Sequence, residues 1–187
     1  MESLLTQLTN IHHIGDDARL DLEASLTRMV LPKNELLITE GRVCRHLYFI
    51  ESGSLRGFYN QEGKEVTHWF GFESDFVTSF HSFITGQPSV ENIQLMDGTI
   101  LWAITKEALT ALMNKHHDME RLVRKSYERY YIRLEERFIN AHFKTATERY
   151  EQLLEESPHI IEKVPLGYIA SYLGISQETL SRVRSRL

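Results

Sequence analysis

The last residues of this 187-residue chain have the types and spacing needed to read DNA. Gln177, Glu178, Ser181, Arg182 and Arg184 fall on or near the outward, N-terminal part of one predicted helix, with Ser176 just ahead of it and Arg186 beyond. That part of a helix is what enters a major groove, where polar and cationic side chains meet base edges and phosphates. Arg182, Arg184 and Arg186 form a basic cluster opposed nearby only by Glu178. Arginines alone would equally fit a solvated helix face, so the surrounding pattern decides the reading.

From Leu166 onward that pattern is a helix, a tight turn and a second helix. Ala170 is small enough for two helices to cross closely, and Gly174 tolerates the positive φ of the turn. Ile169, Leu173, Ile175, Leu180 and Val183 supply the apolar contacts, and Ser176 can cap the second helix by accepting from a free amide. Ahead of the pair, Thr147 to Glu156 reads as an amphipathic helix with Tyr150, Leu153 and Leu154 inward, ended by Ser157-Pro158. It would complete a small bundle.

The chain is long enough for one medium domain and a small one. Its net charge of −5 and pI near 6.0 mean that affinity for nucleic acid must be local rather than spread over the surface. A single cysteine, Cys44, excludes an internal disulfide framework and a cysteine-ligated iron–sulfur cluster within one chain. The start has no signal-peptide pattern and no stretch approaches membrane-spanning length, so a cytoplasmic location and no membrane partner are expected.

Between the first short helices, which run to about Met29, and Thr105 the texture is β. The runs Glu35 to Thr39, His46 to Ile50, Leu55 to Tyr59, Glu65 to Phe70, Glu91 to Met96 and Thr99 to Ile104 are separated by glycine turns. Short strands so spaced predict a sandwich or jelly roll. Beyond Thr105 the apolar period becomes helical, and Met119, Val123, Tyr127, Tyr130, Leu134 and Phe138 mark one face. The reading is one long helix, about 40 Å from Lys115 to Ala141 at 1.5 Å per residue. One roll cannot cover that stripe, so a second copy of the helix is expected to do so, with Met119, Val123, Tyr127, Tyr130 and Leu134 in the seam.

Roll, long helix and helix-turn-helix, in that order, resemble the Crp/Fnr family of bacterial transcription regulators over essentially the whole chain. Leu31-Pro-Lys-Asn-Glu-Leu-Leu, the strand, glycine turn and strand of Tyr48 to Arg56, and Ile169 to Arg182 carry the resemblance. It implies that Gln177, Glu178 and Arg182 contact bases. Their chemistry agrees: Gln pairs with adenine, Glu accepts from cytosine, and Arg donates to guanine. Members that bind cyclic AMP have a Glu and an Arg in a phosphate cassette, where this chain offers Thr78-Ser79 and Ser89-Val90. Buried beside serines, a cyclic phosphate would lose its guanidinium while keeping its desolvation cost. Cyclic AMP is therefore not the expected effector, and Thr78, Ser79, Ser89 and Val90 mark the candidate pocket. With the sequence ending at Leu187, just past the reading helix and without a β-wing, phosphate contacts are expected from helix ends, Lys163, Ser176 and Arg186.

Other constellations carry less. His12-His13 and His116-His117 lack tightly spaced partner ligands, His46, His68 and His81 could meet within the roll as a haem or metal sensor, and Cys44 beside a turn could sense oxidation. The blander readings are preferred: no metal, no cofactor, and Tyr127, Tyr130 and Tyr131 as packing residues. No nucleophile elbow, paired-carboxylate motif or phosphate-gripping loop suggests an enzyme. The expected protein is α+β: a β-roll sensor with flanking helices (1–113), a dimerisation helix (114–141) and a helix-turn-helix domain (142–187). Its expected partners are double-stranded DNA, a second copy of itself and RNA polymerase. Two alternatives stay open: a constitutive DNA binder with a structural roll, and a small-molecule binding module or enzyme with a vestigial helix-turn-helix.

Overall fold

The computed structural model describes residues 1–158 and 160–185. Helices α1 (Glu2–Ile11) and α2 (Asp16–Ser25) precede eight strands: β1 (Thr27–Leu31), β2 (Leu36–Ile38), β3 (His46–Ser52), β4 (Leu55–Gln61), β5 (Lys64–Gly71), β6 (Phe76–Val77), β7 (Asn92–Leu95) and β8 (Thr99–Thr105). A six-residue helix, α3 (Phe80–Thr85), lies between β6 and β7. Two antiparallel four-stranded sheets result, in the orders β1-β8-β3-β6 and β2-β7-β4-β5. The expected α+β roll is present, with every expected strand run in place. Strands β1 and β6 and helix α3 are additions.

Alternation divides the apolar residues of the first sheet between two cores. Tyr48 and Ile50 on β3, with Leu101 and Ala103 on β8, face the interior between the sheets. Leu47, Phe49, Trp102 and Ile104 face outward, onto a second core that includes Leu4 and Leu8 from α1. In the interior, Trp69 covers Gly57 so closely that a Cβ there would sit 2.1 Å from the indole nitrogen. The roll is thus filled partly by its own tryptophan.

The long-helix expectation needs one correction. Helix α4 (Lys106–Lys115) stops at His116, whose backbone is extended at φ −127° and ψ 115°, and α5 (His117–Phe143) restarts at the next residue. Neither glycine nor proline causes the break. A tertiary contact holds it, since His116 Nε2 lies 2.7 Å from the Asp21 carboxylate on α2. Helix α5 keeps 27 residues, about 40 Å.

Its expected seam also divides. Met119 and Val123 are buried in this chain's own outer core, and Tyr130 stacks on Phe80 at 3.9 Å between centroids, with Tyr127 edge-on to the same ring. Leu134 is exposed, as are Tyr131, Ile132, Phe138, Ile139 and Phe143. The uncovered part of the stripe therefore lies further along α5 than the expected seam.

The chain continues through α6 (Ala146–Glu156), α7 (Ile160–Lys163), α8 (Leu166–Tyr172) and α9 (Gln177–Arg184). Thr145 and Glu148 close a reciprocal capping box at the start of α6, satisfying two otherwise free amides. Tyr150, Leu153, Ile160, Ile169, Leu180 and Val183 form a third core.

Candidate nucleic-acid interface

The turn between α8 and α9 is built as its sequence requires. Gly174 takes φ +64°, a left-handed conformation that costs a residue with a Cβ, and Ile175 N–H reaches back to Ala170 O at 3.0 Å. Ala170 is buried where the helices cross. Ser176 caps α9, its hydroxyl accepting from Thr179 N–H at 3.2 Å. These constraints leave Gln177, Glu178, Ser181, Arg182 and Arg184 on one exposed run. Arg186 lies outside the described residues. A hydrogen bond from Ser176, helped by the backbone amide of Glu178 and by the charge of Arg182, holds the Glu178 carboxyl below the usual glutamate range. Glu178 thus stays an ionised acceptor, the form suited to a cytosine amino group.

Lys163 faces the roll rather than open solvent alone, its ammonium 4.0 Å from the Glu73 carboxylate. Arg149, which the sequence reading passed over, donates to Leu173 O at 2.8 Å and ties α6 to the end of α8. Spacing gave no hint of this bond between elements.

The helix-turn-helix docks on its own roll. Ser171 of α8 accepts from Thr67 N–H at 2.9 Å and donates to Glu65 O at 3.3 Å, both on β5. Beside it, the guanidinium of Arg56 is sandwiched between Phe58 and Tyr168, and it donates to Gln94 Oε1, Thr67 Oγ1 and the Glu65 carboxylate. Arg56 is only 2% exposed. A buried cation persists when neighbours pair its charge and take its donors, as these do.

In the roll, Ser79 and Ser89 meet. Ser89 Oγ donates to Ser79 Oγ at 2.9 Å and also lies 2.8 Å from Glu91 O, while Thr78 Oγ1 donates to His46 O. Three of the four expected pocket residues are buried together; Val90 is 51% exposed and does not line the interior. The Glu91 carboxylate is occupied by Trp69 Nε1 at 2.9 Å and His68 Nε2 at 2.7 Å. His68 also stacks on Tyr59, and Arg137 of α5 donates to the His68 carbonyl. His46 instead lies by Tyr48, and no group of three or more His, Cys, Asp or Glu side chains among the described residues could hold a metal ion. Cys44 is buried, its sulfur 3.2 Å from Thr78 Oγ1.

Residues 28–116 match the cyclic nucleotide-binding domain family. The matched stretch runs from the second residue of β1 through α4. Solved structures extend the likeness beyond the roll. FixK2 from Bradyrhizobium japonicum is 19% identical with a TM-score of 0.73, over 87% of this chain and 84% of that one. The catabolite activator protein of Thermus thermophilus is 19% identical with a TM-score of 0.60, over 97% and 86%. A Eubacterium rectale protein described as a regulator of the crp/fnr family is 22% identical with a TM-score of 0.66, over 91% and 82%. The chain has the Crp/Fnr fold, roll and helix-turn-helix together. None of the curated proteins matches its sequence. Among the described residues no helix is long and apolar enough to cross a membrane.

Proposed function

We propose that this protein is a sequence-specific DNA-binding transcription regulator of the Crp/Fnr type, acting as a homodimer whose roll does not take cyclic AMP. The exposed run Gln177, Glu178, Ser181, Arg182 and Arg184 on a helix fixed by Gly174 and Ser176 carries the reading. Pairing two such heads through α5 would set them on half-sites about 34 Å apart, and a shift of α5 would change that spacing. The exposed Tyr131, Leu134 and Phe138 support the pairing, together with a groove along α5 lined by Val123, Tyr127, Tyr131 and Ile132.

Against cyclic AMP stand the Ser79–Ser89 bond and the indole of Trp69 over Gly57. Other cations do not replace the missing arginine: Arg42 and Arg45 are exposed, and Arg56 is engaged by Glu65 and Gln94. The filled interior also favours a second reading, a constitutive DNA binder with a structural roll. RNA polymerase is a further proposed partner, and the cytoplasm the proposed location. Selecting genomic fragments with the purified protein tests the function. A recurrent two-fold-symmetric site is expected; recovery no better than from random DNA rejects it.

A further inference from the structure

An open cavity lies outside the roll. It occupies about 280 Å³ between α1, α2, the outer face of the first sheet and the first half of α5. Leu8, Phe49, Trp102, Leu122 and Tyr127 are among its walls, which are largely apolar. Small-molecule sites commonly start near 300 Å³, so a single chain or ring fits and a nucleotide does not.

Three charged groups line it: Asp75, Arg129 and Arg133. The two arginines sit one turn apart on α5 and are exposed, which places them at the rim. Arg129 gives one hydrogen bond, to Asn10 O at 3.0 Å, and Arg133 gives one, to Asp75 at 3.5 Å. Each guanidinium carries five N–H donors, so with Asp75 paired to Arg133 alone both cations keep donors to spare. Burial raises the pKa of both Tyr127 and Tyr130 above the ordinary tyrosine value, keeping their hydroxyls protonated.

We propose that this cavity binds a medium-chain aliphatic monocarboxylic acid, its chain among the apolar walls and its carboxylate between Arg129 and Arg133. The apolar body is held by burial, and a second carboxylate at the rim gives the paired arginines a planar acceptor. Leu122, Ser126, Tyr127 and Tyr130 belong both to the cavity and to α5, so an occupant presses on the helix that carries the reading heads. That consequence rests on the regulator reading. The binding does not, and it is measured without DNA.

Calorimetry on the full chain with dodecanoate, dodecanol and hexanoate is the test. Dodecanoate should bind with Kd on the order of 10–100 μM, and the other two at least about tenfold more weakly. Ser126→Phe or Leu47→Trp, each filling the cavity, should abolish binding in whichever variant keeps the wild-type melting temperature. Replacing both arginines (Arg129→Gln with Arg133→Gln) should remove the preference for dodecanoate over dodecanol. Absence of saturable heat, equal affinity for dodecanol, or full binding by a folded filling variant would overturn the site. None of those results bears on DNA binding.

Discussion

The guanidinium carbon of Arg56 lies 3.8 Å from the ring centroid of Tyr168, joining a buried cation of the roll to the first helix of the helix-turn-helix. Phe58 closes the other side at 4.2 Å. Desolvated stacks of this kind contribute about 0.5–2 kcal/mol. Tyr168→Leu should therefore loosen the docking without unfolding either part. Hydrogen exchange at Thr67 N–H, which is bonded to Ser171 in the docked state, should accelerate by roughly the matching factor of 2–30. Unchanged exchange there would show that the stack contributes nothing to docking.

On DNA, Arg182→Ala should cost about 1–3 kcal/mol on the selected site and relax preference at one position, because a bidentate contact to guanine is lost. Gel-shift titrations on the site and on single-base variants check this. Loss that is uniform across sequences would assign Arg182 to phosphate instead.

For assembly, Leu134→Glu with Phe138→Glu should give folded monomers, since both side chains are exposed in the single chain. Light scattering at roughly 10–50 μM, where interfaces of standard size are populated, should find the wild type dimeric and the variant not. Tyr130→Glu makes a useful contrast. It removes a stack on Phe80 within one chain and should lower the melting temperature instead.

Much of this architecture was legible in the sequence. Gly174, Ala170 and Ser176 specify their turn through local chemistry, and β3, β4 and β8 announce themselves as short β-branched and aromatic runs between turn signals. Strand β6 has two residues and β1 follows α2 with no turn residue between, so neither leaves a periodic trace. The break at His116 depends on Asp21, ninety-five positions earlier, and no local rule reports such a partner. The burial of Arg56 leaves no local trace for a similar reason: it depends on Tyr168 from another element. The candidate pocket was half legible. Ser79 and Ser89 could be matched to a cassette, but the indole that fills the space comes from Trp69 on a different strand.

Cyclic AMP at millimolar concentration should give no saturable heat with the wild type and leave operator affinity unchanged. Losing a bidentate charge-assisted pair costs at least about tenfold, and the Trp69 indole adds steric exclusion. A micromolar Kd by calorimetry would require Trp69 and the Ser79–Ser89 pair to separate on binding.

Asp118, in the first turn of α5, accepts from Gly15 N–H at 2.6 Å and Met119 N–H at 2.9 Å. The Gly15 bond chiefly, and then the Met119 bond, hold its carboxyl below the ordinary value of 3.8. A pKa lowered by folding means stability that is present above 3.8 and is lost as pH falls through the folded value. Asp118→Asn should cost about 1 kcal/mol at pH 7, discounted for partial exposure. In melts stepped downward in pH, the gap between wild type and variant should persist to the carboxylate range and close below it. A gap that stays constant to the lowest pH would assign the effect to shape rather than charge.

Strand β5 is the outer strand of its sheet, and side chains rather than a further strand stand beside it: Ser171 takes the Thr67 N–H and reaches the Glu65 carbonyl, and Arg137 donates to the His68 carbonyl. Free strand edges are templates on which other chains add strands. A reading head that swings away therefore uncovers a place for foreign backbone to pair, and every departure from the docked arrangement carries a risk of aggregation. Only a movement that keeps Ser171 near β5, or that brings another group to the same two backbone atoms, leaves the protein safe from its own sheet.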